Sequence, residues 1–113
     1  MAPFAEQPRL IVNRQGDLTT ARLEGCASIT DANVKIFGRM LADLIVGQAP
    51  RRLEFDLSCV QYLASAALAK LISLNAALRA ADGRLVLENL QPAVREIFTA
   101  TLLDRTFEIS PDA

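Results

Sequence analysis

The stretch RRLEFDLSCVQYLASAALAKL, residues 51–71, changes its periodicity halfway along, and that change decides the fold. Leu53, Phe55 and Leu57 alternate with Glu54 and Asp56, which is the period of a strand with one buried face. Beyond the loop, Leu68, Leu71, Ile72, Leu74 and Leu78 recur at helical spacing. The pattern predicts a helix with Ser65 as its N-cap, running to Ala81 and stopped by Asp82-Gly83. After Gly83, the run Leu85-Val86-Leu87 reads as a second, more completely apolar strand. Strand, helix and strand in that order make a right-handed crossover, so the two strands are expected to be parallel neighbours.

Working outward toward the start of the chain, Leu10-Ile11-Val12 and the run Leu18 to Leu23 flank Gln15-Gly16-Asp17, which is turn chemistry, and together they read as a hairpin. From residue 30 the period becomes helical, with Val34, Phe37, Leu41, Leu44 and Ile45 on one face, Thr30 or Asp31 available to cap the start, and Gly47 and Pro50 to end it. Toward the other end, Pro92 sits at a first helical position, and Val94, Ile97, Phe98 and Leu102 form a third apolar face. Thr106 to Ile109 adds a last short strand. The sum is a single α/β domain over residues 8–109, with a mixed four- to five-stranded sheet and helices mainly on one face. Residues 1–7 and 110–113 read as loose ends.

Composition narrows what such a domain can do. The chain has 113 residues, enough for one core without staples, and 12 basic against 13 acidic side chains give a formal charge of −1. That balance offers no electrostatic reason to expect nucleic acid or an anionic membrane as partner. There is no histidine, which removes Ser-His-Asp and Cys-His catalysis and histidine-ligated metals together. Neither GxGxxG nor GxxxxGK[ST] occurs, so a nucleotide enzyme is not expected, and nothing calls for a cofactor or a metal. Cys26 and Cys59 form no CxxC, no run approaches the roughly 18 apolar residues a spanning helix needs, and Met-Ala-Pro-Phe-Ala does not read as a secretion signal. The expected compartment is the cytoplasm, without membrane insertion.

Few residues remain as candidates for chemistry. Glu54 and Asp56 share a strand face, and their alternation places them on a solvated edge rather than in a catalytic pair. Cys59 lies between a strand and a helix, where a thiol can be activated, but no basic residue stands near it in sequence, and it reads as a small apolar residue. Ser65 is the residue to single out. As a cap its hydroxyl would contribute about 1 kcal/mol. As a modification site it would carry about −1.5 to −2 charges on phosphorylation, against the positive end of a helix and without unfolding the domain.

Three segments, residues 51–71, DGRLVLENLQPAVREIF from Asp82 and LLDRTFEI from Leu102, together resemble the STAS domain of anti-sigma factor antagonists over nearly the whole chain. In that family an Asp-Ser-Ser-Gly-Leu type motif opens the corresponding helix, and its first Ser or Thr is phosphorylated by a partner kinase. The resemblance puts Ser65 at that position, Leu68 at the motif's leucine, Asp56 at an acidic position near the strand end, and Gly83, Pro92 and Phe98 in the later blocks. Ala64, Ala66 and Ala67 replace the motif's aspartate, second serine and glycine, and Leu102 stands where a glycine is expected. The loop Gly25 to Asp31 is about two residues longer than the family's usual one, so Thr30 or Asp31 fills its acidic position.

The resemblance implies a non-enzymatic module that binds an anti-sigma factor or a serine protein kinase and is switched by phosphorylation at Ser65. It further implies a contact surface of Thr30, Asp31, Asp56, Tyr62, Ala64, Ala66, Ala67 and Leu68, and leaves room for a homodimer. It equally allows a second use: a scaffold or accessory subunit of a lipid-transport ABC system, working through the same surface without phosphate.

Overall fold

A computed structural model that describes residues 8–46 and 49–110 has, among those residues, seven strands and three α-helices, two short strands more than these patterns give. The hairpin forms as expected: β1 (Arg9–Gln15) and β2 (Leu18–Glu24) are antiparallel, joined by Gly16-Asp17 with Gly16 at φ +60°. Between β2 and the first helix lies β3 (Ser28–Ile29). Helix α1 spans Val34–Asp43, β4 Arg52–Asp56, β5 Tyr62–Leu63, α2 Ser65–Ala80, β6 Arg84–Glu88, α3 Pro92–Ala100 and β7 Glu108–Ile109.

The main sheet has the order β1-β2-β4-β6-β7, mixed because only the hairpin is antiparallel. Strand β4 pairs in parallel with β2 and with β6, as the crossover required. It is therefore the central strand, and the expected solvated edge at Glu54 and Asp56 is corrected: they stand in the middle of the sheet, on its open face. On the other face Ala21, Leu23, Leu53, Phe55, Leu57, Leu85 and Leu87 join Phe37, Leu41, Leu71, Leu78, Val94 and Phe98 from the helices in one buried cluster. The helices thus share one face. Among the described residues no helix is long and apolar enough to cross a membrane.

Helix ends differ from the sequence reading in instructive ways. Helix α1 starts at Val34 behind Asn33, not at a cap by Thr30 or Asp31, and its C-cap is Leu44, before Pro50; Gly47 lies outside the described residues. Helix α2 ends in a Schellman arrangement: the left-handed residue is Asp82 (φ +61°), the Gly83 N–H donates to Leu78 O at 2.6 Å, and the Asp82 N–H donates to Arg79 O at 3.0 Å. Gly83 is needed for closeness, since a Cβ there would stand 2.6 Å from the Pro50 carbonyl oxygen. Ile72, read as core, is exposed. Leu102 leaves the third helix altogether, with φ +61° and 58% exposure. Ser110 donates its N–H to Leu87 O at 2.8 Å, continuing the line of β7 along β6.

Candidate functional site

A second, two-stranded sheet that no sequence period announces builds the site. Strands β3 and β5 pair in parallel, Ser28 with Tyr62 and Ile29 with Leu63. Around them the Gln61 and Tyr62 N–H groups donate to Ala27 O at 2.6 and 3.2 Å, and the Ala64 N–H donates to Ile29 O at 2.8 Å. The loop entering α1 is thereby stitched to the turn entering α2. Asn33, only 3% exposed, locks the first of these loops: its Oδ1 accepts the Thr30 N–H at 2.8 Å and its Nδ2 donates to Ser28 O at 3.0 Å. The Thr30 hydroxyl accepts the Ala32 N–H at 3.2 Å, a local turn ahead of the helix.

Ser65 stands at the first position inside α2, not at its N-cap. The N-cap is Ala64, extended at φ −71° and ψ 163°, whose carbonyl accepts the N–H groups of Ala67 at 2.9 Å and Leu68 at 3.1 Å. No side chain caps the helix and no acidic residue lies in its first turn. The capping role expected of Ser65 is therefore corrected. Its side chain is exposed at the positive end of a sixteen-residue helix whose first turn holds no acidic residue.

Of the residues expected beside it, Asp31 is exposed, Tyr62 is 50% exposed, and Thr30, Ala64 and Ala66 are half-buried. The β3–β5 pairing brings together the two loops and the start of α2 that carry these residues. Ala67 and Leu68, expected on the contact surface, are buried in the core cluster beneath it. Asp56 belongs to a different cluster. Its carboxylate accepts the Ser58 N–H at 2.7 Å and the Asn89 side-chain amide at 3.0 Å, while Gln91 Nε2 donates to Ser58 O at 2.7 Å. Partial burial works against its charge, but the bonds from Ser58 and Asn89 and the Arg22 charge outweigh this and hold its pKa below the usual value. Asn89 reaches it from a left-handed backbone at φ +58°, a conformation asparagine tolerates. Asp56 thus fastens the β4–β5 loop to the β6–α3 loop.

Cys59 lies on that same loop and is not an activated thiol. Its Sγ donates to Leu23 O at 2.7 Å, and burial, helped by the Asp56 charge, pushes its pKa up. Neither cysteine is in a disulfide, and among the described residues no group of Cys, Asp and Glu could hold a metal ion. Sequence reasoning missed Asn33, although the signal was present: an asparagine immediately before the first apolar residue of a helical run.

Two stitched loops and a helix start, on a mixed five-stranded sheet with its helices on one face, define a single α/β domain. Its fold is similar to that of an anti-sigma factor antagonist from Mycobacterium paratuberculosis (TM-score 0.78, 23% identity, covering 92% of this chain and 86% of that one). It is also similar to an anti-sigma-factor antagonist (STAS) domain protein from Planctomyces limnophilus (TM-score 0.76, 17% identity, covering 96% and 92%). A third similar structure is Moorella thermoacetica RsbS S58E (TM-score 0.71, 23% identity, covering 93% and 88%). Among curated proteins no sequence matches the chain. The sequence model of the STAS domain matches residues 9–113, and the chain belongs to the STAS domain family.

Proposed function

We propose that this chain is a partner-switching module that binds an anti-sigma factor or serine protein kinase through Thr30, Asp31, Tyr62, Ala64, Ser65 and Ala66, and that phosphorylation of Ser65 turns the binding off. One observation carries the reading: the Ser65 side chain is exposed and has no capping duty, on a helix start pinned by β3 and β5. A phosphate there would meet the positive helix end without disturbing the core, and would change the charge and shape the partner sees. The similar structures support the idea, since one of them, the Bacillus cell fate determinant SpoIIAA, is known in a phosphorylated form. The test is capture from a lysate of the native cells, with wild-type chain, Ser65→Ala and Ser65→Glu as baits. The expected result is one kinase-like or anti-sigma partner held by wild type and Ser65→Ala and lost with Ser65→Glu. Equal retention by all three would contradict the switch.

A second reading rests on the half-buried Ala64 and Ala66 beside the exposed Tyr62 ring, an apolar rim suited to a permanent helix contact. In that reading the same surface docks to a transporter or scaffold subunit without phosphate, and the capture experiment returns that subunit with all three baits.

A further inference from the structure

Strand β1 is the open edge of the main sheet, bonded to β2 alone through seven consecutive pairs without a bulge. Edges of this kind are commonly blunted by lysines, prolines, bulges or a covering element. Among the described residues, the edge from Arg9 to Gln15 has no lysine, proline, bulge or covering element; it carries two charged side chains, Arg9 and Arg14, while Ile11 and Val12 are exposed, at 48% and 39%. The hairpin geometry says which backbone groups face outward. A two-residue turn makes its flanking pair, Gln15 with Leu18, a hydrogen-bonded one. Alternating from there, Leu10, Val12 and Arg14 turn their N–H and C=O groups away from β2.

We propose that this edge is the interface of a homodimer, in which β1 of one copy pairs antiparallel with β1 of the other about Val12, to give one continuous sheet. In that register Val12 faces Val12 and Leu10 faces Arg14, and every outward-facing backbone group finds a partner. Arg14 meets an apolar residue and Arg9 meets Gln15, so no like charges oppose. Shifting the pairing by two positions sets Arg14 against Pro8, which has no N–H, or Leu10 against the turn at Gly16. An odd shift aims outward groups at groups already bonded, and one odd shift also opposes Arg9 to Arg14. The side chains agree with the backbone. Leu10 and Val12 line a groove of about 440 Å³ with Met40 and Leu44, flanked by the charged Arg14 and Asp43, and the second copy would cover its apolar part. A two-fold axis through Val12, perpendicular to the sheet, keeps the helices of both copies on one side and points their Ser65 ends in opposite directions. Both partner surfaces stay free, so the dimer does not depend on the proposed switch.

Because position 12 faces itself, charge decides the test. Val12→Lys and Val12→Glu each place like charges face to face without touching the β1–β2 ladder, whereas a mixture of the two variants restores attraction. Analytical ultracentrifugation across a concentration series is expected to give the mass of two chains for wild type. Each variant alone should give one chain with wild-type circular dichroism, and the mixture should give two chains again. A wild-type chain that stays single, a Val12→Lys chain that stays dimeric, or a mixture that fails to associate overturns the proposal.

Discussion

The Ala64 N–H donates to the Ile29 carbonyl at 2.8 Å, so the turn that opens α2 is set by the segment that precedes α1. This one bond holds Ala64 extended and moves the helix start to Ser65. It explains why a serine, ordinarily a favoured N-cap, sits instead inside the first turn with its side chain exposed. The candidate site is therefore a product of pairing between loops distant in sequence.

Asn33 maintains that pairing from below. Asn33→Ala removes the acceptor of the Thr30 N–H and the donor to Ser28 O inside a buried site. The expected cost is about 1–3 kcal/mol, read as a lower urea midpoint with an unchanged slope. A midpoint equal to wild type would contradict the role given to Asn33.

Leu102 occupies a left-handed backbone position with most of its side chain in water. Leu102→Gly removes the Cβ strain there and loses little burial, although the unfolded chain gains freedom. We expect a net stabilisation of up to about 1 kcal/mol, visible as a higher melting temperature. A lower melting temperature would mean that the Leu102 side chain makes a contact of greater worth than the strain.

Gly83→Ala acts in the opposite direction. The added Cβ would lie 2.6 Å from Pro50 O and 3.2 Å from Leu78 O, both backbone atoms that cannot turn aside. The expected loss is about 1–3 kcal/mol by denaturant titration. A neutral result would require α2 and the segment before β4 to separate easily.

Two carboxylates on the open face titrate with opposite consequences. Glu88 has its pKa raised by partial burial and by the charges of Glu54 and Asp56, so its ionisation opposes folding as pH rises above the ordinary glutamate value of 4.5. Asp56 has its pKa lowered, so its contribution is present above 3.8 and is lost as pH falls through its folded value. Glu88→Gln should therefore stabilise the domain at pH 7 by less than about 1 kcal/mol, given its exposure, and the gain should vanish near pH 4. A gain that persists unchanged in acid would contradict this origin.

Much of the architecture was legible in the sequence because its long elements carry strong periods. The alternation of Leu53, Phe55 and Leu57 and the apolar stripe of Phe37, Leu41 and Leu44 each bury the face they announce. What was not legible depends on partners far away in the chain. Strands of two residues, β3 and β5, are too short to carry any period, and only their mutual pairing makes them strands. The alternation of Glu54 and Asp56 identifies a half-exposed strand but cannot distinguish the sheet's edge from its open centre. Leu102 fits a helical period, yet α3 stops at Ala100, and two residues further on, at Leu102 itself, the chain turns left-handed. Ser65 was legible as a residue of interest, while its release from capping became visible only through Ala64 and Ile29.

The central claim is that Ser65 is the modified residue of the module. Phosphosite mapping by mass spectrometry, on wild-type chain and Ser65→Ala purified from the native cells, tests it most directly. The account predicts one phosphorylated position in the wild type, Ser65, and none in the variant. Phosphate on another residue in both chains, or no phosphate on Ser65 while the partner is still bound and released, would contradict it.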